Sequence, residues 1–263
     1  FMKHHRILYR ALSALLCLGL CAQLTACGKK PIPKPGSSGP SAPSVSKKVY
    51  DDSLITEVYD EEDSFTHEYG TEYSYICHVP QLEADTPEAK AINWEIMESF
   101  GNDVQATLDA AESGETPNSQ YMEVTWQSYW NDSLLCLVLT SEMDGDMTDY
   151  AVYSYDFFGG KRLTSEDLLA REGLSTQEFV MAARRTAANY FDGLYRDALS
   201  GSMGGADFIA SYAERRAWTL SDENINAEMR LYLDGGALHM IVPVGSFAGA
   251  ASYDADIAVD LSA

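Results

Sequence analysis

YAVYSYDFFGGKRLTSEDLL, residues 150–169, carries four local signals that agree on one fold class. Tyr153, Tyr155 and Phe157 alternate with Val152, Ser154 and Asp156, the two-residue period of a half-buried strand. Gly159 and Gly160 supply a turn in which positive φ carries no Cβ penalty. The chain then returns as a short strand, and Thr164 with Asp167 three residues on is the reciprocal cap that opens a helix. Strand, turn, strand and helix in this order predict an α+β protein, with antiparallel sheets and helices packed on them. Nothing in the stretch is a catalytic motif.

Upstream, SLLCLVLT (133–140) is apolar at successive positions, which suits a central strand covered on both sides. In 120–130, Met122, Val124, Trp126 and Trp130 share a face, and Asn131 with Asp132 turns the chain back. Together with the turn at Asp144, Gly145 and Asp146, these segments predict a three-stranded meander. Tyr73, Tyr75, Cys77 and Val79 alternate within a strand at 71–82. His78 falls on the opposite face and reads as an isolated, hydrogen-bonded strand histidine, with no second ligand at short spacing. Between these strands, Thr86 and Pro87 signal a helix start. Ile92, Ile96, Phe100, Val104 and Leu108 then recur every four residues as one apolar stripe. VYDDSLITEVYD (49–60) runs into the acidic EEDS without an assigned element.

Downstream, Ser175 and Glu178 cap a longer helix containing Phe179, Val180, Ala183, Ala187, Tyr190, Phe191 and Leu194. GSMGG (201–205) interrupts, and a shorter helical piece follows at 208–218. A hairpin about Asp234, Gly235 and Gly236 and a last strand at 252–261 complete the chain.

The first segment reads as an address. Lys3, Arg6 and Arg10 precede the apolar run 11–24, and Leu24, Thr25, Ala26 and Cys27 close it as a lipobox. Residues 1–26 are thus expected to be a lipoprotein signal peptide, with Cys27 the lipidated residue; an ordinary signal peptide with a chance cysteine is the alternative. Each buried acyl methylene contributes about 0.8 kcal/mol, so two or three chains hold where one is marginal. The expected location is extracytoplasmic, lipid-anchored to the bacterial cell membrane. Residues 27–48, rich in Pro, Ser, Gly and Lys, are expected to form a flexible stalk. An N-terminal α+β module at 49–118 and a C-terminal α+β module at 119–263 follow, packed as one unit.

The whole chain has 18 Lys and Arg against 40 Asp and Glu. The signal holds three of the basic residues and the stalk five, leaving 10 against 40 from Val49 onward, a net charge of −30. Such a domain repels phosphate backbones, so nucleic acid is not an expected partner. It attracts cations, whether calcium or a basic protein, although solubility alone is sufficient reason for the charge. After Cys27, Cys77 and Cys136 remain, both in apolar strand-like runs. Buried free thiols or a bridge both fit that placement.

The loop Asp144, Asp146 and Asp149 offers the weak metal candidates. An EF-hand would place a carboxylate eleven residues after Asp144, where Tyr155 stands, so the loop reads first as a hairpin turn. GSMGG lacks a Walker lysine, and GSFAG (245–249) has Phe where a nucleophile elbow needs Ser. There is no HExxH or Cys-x-x-Cys pair, and His239 has no nominated nucleophile. No catalytic residue and no cofactor are expected.

The strand at YSYICHVP, the helix near AINWEI, the YSYDFFGGKRLTSEDLL unit and the terminal LYLDGGALHMIVPVGSFAGAASYDADIAVDL together resemble the extracellular region of RsiV-type anti-sigma factors. The same pair of modules also precedes some peptidoglycan deacetylase domains and occurs in standalone bacterial lipoproteins. The likeness covers most of 73–261. It implies the α+β architecture and, through RsiV itself, lysozyme binding. The chain departs from that pattern in having DGDMTDYAV before the YSYDF strand and Val244 after Pro243, so no ligand contact transfers residue by residue.

The function expected from sequence is a membrane-tethered, non-enzymatic binding or sensing module for an envelope ligand. Lysozyme, another cationic protein or cell-wall material fits that role. The alternatives are an envelope hydrolase using acidic residues, and a structural or assembly lipoprotein.

Overall fold

The structure, a computed structural model, describes residues 49–67, 70–145, 147–200, 205–247 and 251–262, with backbone alone at 198–200. The expected signal peptide, the stalk with Cys27, Asp146 and most of GSMGG lie outside the described residues. The segment Lys48–Ala263 is one compact unit.

Six strands form the main sheet in chain order: β1 (Ile55–Thr66), β2 (Glu72–Leu82), β3 (Tyr121–Asn131), β4 (Leu134–Met143), β5 (Asp149–Asp156) and β6 (Lys161–Leu163). Neighbours run antiparallel except β2 and β3, which are parallel. A parallel pair needs a crossover. Helices α1 (Pro87–Ile96) and α2 (Asn102–Ser113) provide it. The sheet therefore takes strands from both sides of residue 118.

β4 shows why the apolar octet has no polar face. Leu135, Leu137 and Leu139 enter a core with Ile92, Ile96 and Val104 of the crossover helices. Leu134, Cys136 and Val138, pointing the other way, enter a second core. That core is closed by α3 (Ser165–Arg171), α4 (Thr176–Ser200) and a three-stranded antiparallel sheet, β7 (Arg230–Asp234), β8 (Ala237–Gly245) and β9 (Ser252–Ala258). Helix α5 (Ala206–Thr219) packs on β8. The α+β class and the meander β3-β4-β5 stand as the sequence indicates.

The outer edge of β7 rests on the six-stranded sheet. Its Leu233 N–H, unpaired within its own sheet, donates to Cys136 Sγ at 3.5 Å. Cys136 and Ser154 lie side chain to side chain across β4 and β5, also at 3.5 Å. Both cysteines are buried free thiols. A bridge is ruled out by placement: Cys77 belongs to the crossover-helix core and Cys136 to the other.

The quoted stretch anchors the crossover. Tyr155, almost wholly buried, shares a 2.8 Å hydrogen bond with the Thr86 hydroxyl, which also accepts the Ala89 N–H as the cap of α1. Gly160 has φ +65°, and a Cβ there would come within 3.3 Å of Thr86 Cγ2. Both expected helix caps form: Thr164 with Asp167, and Ser175 with Glu178.

The crossover is not one uniform helix. Met97–Gly101 forms a π-helical segment between α1 and α2. Apolar residues every four positions drift about 40° per step around an α-helix of 3.6 residues per turn. The wider π turn resets that phase, and Ile92, Ile96, Phe100 and Val104 all stay buried. Among the described residues, no helix is long and apolar enough to cross a membrane.

Ile96→Ala removes a fully buried side chain from this stripe, and a loss of about 2–5 kcal/mol is expected. Trp94→Ala, at a side chain 63% exposed, should stay within about 0.5 kcal/mol. Denaturant midpoints of the two variants check the pair; similar losses would contradict the buried phase assigned to the helix.

Candidate functional site

The acidic segment left unassigned in the sequence is a full-length strand. β1 pairs with β2 as a long hairpin that sets Asp60 opposite His78, Glu62 opposite Ile76 and Ser64 opposite Ser74. Tyr73, Tyr75, Cys77 and Val79 of β2 turn to the core, so His78 and its neighbours take the other face. A bulge between Glu57 and Tyr59 shifts the ladder by one residue. Bulges redirect side chains, and here the bulge brings Glu57 beside His78.

The imidazole sits among three carboxylates. Its Nδ1 lies 3.1 Å from Asp60 Oδ1 and 3.6 Å from Glu57 Oε1, and its Nε2 lies 3.0 Å from Glu62 Oε1. Glu57 Oε1 also accepts the Trp126 indole N–H at 2.7 Å. The His78 and Glu57 side chains are about a quarter exposed, whereas Asp60 and Glu62 stand well into solvent. Partial burial pulls the His78 pKa down. The hydrogen bond with Glu62 and the charges of Glu57, Asp60 and Glu62 outweigh that effect and raise it above 6.5.

The same face continues onto β3 and β4, where Glu123 and Glu142 lie directly opposite each other. Tyr121 donates its hydroxyl to Glu123. That bond, with burial and the charges of Glu123 and Glu142, pushes the phenol up to about 12. β1 to β4 contain no lysine or arginine. Lys90 apart, every lysine and arginine after residue 48 lies at or beyond Lys161. A cleft of about 530 Å³ opens at the turn end of the hairpin, beside Ser64, Glu72, Ser74 and Tyr121.

The metal candidates named from the sequence are placed otherwise. Asp144, at φ +54°, directs Oδ1 to the Gln120 and Tyr121 N–H groups at 2.7 and 2.9 Å, and so fixes the start of β3. Asp149 begins β5 and is exposed. Neither belongs to a group of potential ligands among the described residues; Glu57, Asp60 and His78 do.

His239 has neighbours but no nucleophile. Its Nδ1 lies 3.0 Å from Asp256 Oδ1 and 3.1 Å from the Tyr232 hydroxyl, which donates to Asp256 Oδ2 at 2.5 Å. Burial, then the bond to Asp256, raises the Tyr232 pKa. Tyr129 of β3 packs its ring on Tyr232 at 4.9 Å between centroids, so this network joins the two sheets.

A second cleft, of about 560 Å³, lies between β5–β6 and β7. Two of its lining residues are committed to ion pairs: Arg162 with Glu95 and Arg230 with Asp254, each at 2.6 Å. The first face therefore remains the stronger candidate.

The His78 surroundings escape a reading of local spacing because the hairpin, not the chain, brings the groups together. The signal that carries them is the polar alternation Asp60, Glu62, Ser64, Thr66, continued after the turn by Glu72, Ser74 and His78.

No family model and no curated protein matches the chain. Among solved structures it is similar to a DUF3298 family protein from Pseudomonas aeruginosa PAO1. The identity is 12% and the TM-score 0.43, over 78% of this chain and 89% of that one. It is also similar to a member of the DUF3298 family from Bacteroides fragilis, with 8% identity and a TM-score of 0.31 over the same shares.

In metal-free protein, the His78 imidazole should titrate above 6.5 when followed by NMR. The sign follows from the raised pKa: the ring's contribution to stability is complete below its unfolded value and is lost as pH rises through the folded one. His78→Gln should flatten that part of the stability profile. A midpoint at or below 6.5 would show that the carboxylates do not govern the ring.

Proposed function

We propose that the folded domain is a non-enzymatic binding module that receives a cationic partner on the uncovered part of the His78 face, formed by β1, β2 and the Glu123–Glu142 end of β3 and β4. In this reading it works outside the cytoplasm, tethered through a lipid on Cys27. Lysozyme is the partner of first choice, with other basic proteins of the cell envelope in the same class.

The observation that supports the reading is the Glu123–Glu142 pair on a four-strand face without lysine or arginine. Like charges directly opposite across a sheet are destabilising, by about 0.2–1 kcal/mol. A docking cation would relieve that repulsion. Folding alone gains nothing from keeping it. Attraction of this kind also speeds encounter and falls with ionic strength.

Titration of the protein with lysozyme, beside a neutral protein of similar size, at low and moderate ionic strength, tests the proposal. Saturable binding to lysozyme that weakens with salt is expected. Glu142→Lys should weaken it about tenfold, or about 1.4 kcal/mol, while raising the folding stability by about 0.2–1 kcal/mol. Equal uptake of both proteins, or a Glu142→Lys variant that binds as tightly as the parent, would overturn it.

A further inference from the structure

The carboxylates around His78 are not merely a dense patch of charge. The two ring nitrogens of this histidine serve different directions, with Nδ1 facing both Asp60 and Glu57 and Nε2 meeting Glu62 alone. We infer that His78 Nδ1, Glu57 Oε1 and Asp60 Oδ1 form a binding site for a divalent cation of the zinc class.

Distances support this set. A tetrahedral zinc ion with bonds of about 2.0–2.1 Å holds its donors about 3.3 Å apart. Nδ1 lies 3.1 and 3.6 Å from the two carboxylate oxygens, and all three donor atoms lie within 4.8 Å of one another.

The surroundings supply what a metal-bound imidazole needs. Such a ring donates its other N–H to an acceptor, which fixes its tautomer and orientation. Glu62 is in place to accept from Nε2. Trp126, from β3, holds Glu57 through its indole N–H, and this restraint comes from outside the acidic strand. The bulge at Glu57 turns that carboxylate toward the ring.

An imidazole with two carboxylates favours zinc over calcium or magnesium, which prefer all-oxygen sites. Three protein donors leave a fourth position open to solvent. Water or an oxygen donor from an anionic ligand can occupy it. The inference stands on this geometry and does not depend on the cationic-partner reading.

Calorimetric titration of chelator-treated protein with zinc chloride near neutral pH tests the site. One saturable zinc event is expected that His78→Ala abolishes and excess calcium does not displace. Asp60→Asn changes a side chain 71% exposed, so it leaves the core intact, and it should weaken binding at least tenfold. Trp126→Phe should also weaken it about tenfold, by releasing Glu57. Far-UV circular dichroism confirms that each variant is folded. Absence of a saturable event, its persistence in both His78→Ala and Asp60→Asn, or equal displacement by calcium would overturn the inference. Because no protein partner is present, failure here is distinct from failure of the lysozyme titration.

Discussion

β4 must be covered on both faces, and the rest of the architecture follows from that requirement. Leu134, Leu135, Leu137 and Leu139 are fully buried, with Cys136 and Val138 nearly so. Each large apolar side chain contributes about 1.5–3 kcal/mol when removed from water. One layer of helices cannot reach both sides of a strand. The crossover helices cover one side, and β7, α3 and α4 cover the other. The Leu233 N–H seated on Cys136 Sγ marks where the second layer meets the first, and it gives a polar edge group a partner inside an apolar core.

The contrast between the two sides of β2 follows from the same logic. Its core side is built from Tyr73, Tyr75, Cys77 and Val79, while its other side carries Ile76 and His78 opposite Glu62 and Asp60 of β1. The burial on one side is large enough to tolerate repulsion on the other. Cys77 shows how separate the two environments are: burial, reinforced by the charge of Glu61, pushes its thiol up to about 11. The core excludes charge, whereas the open face accumulates it.

Much of this fold was legible because local chemistry and tertiary placement agree. The strand at 71–82, the meander and the caps at Thr86, Thr164 and Ser175 all rest on signals within a few residues. The π segment is visible only in retrospect, as a stripe spaced at four instead of 3.6 residues. β1 was not legible because an outer strand with charged side chains on a solvent face lacks the apolar alternation that identifies strands. The grouping of Glu57, Asp60, Glu62 and His78 was hidden for the same reason, since it depends on hairpin register and on a bulge. Asp144 shows the converse: its carboxylate looked available in a loop and is occupied by two backbone amides.

β1 is an outer strand of the six-stranded order, and five carboxylates, from Glu57 to Asp63, line its length. Outer strands invite pairing with a second copy unless something blocks it. Here mutual repulsion opposes such pairing, through the same side chains that would greet a cationic partner. A partner that neutralises them must physically shield the strand it discharges, replacing mutual repulsion with steric cover.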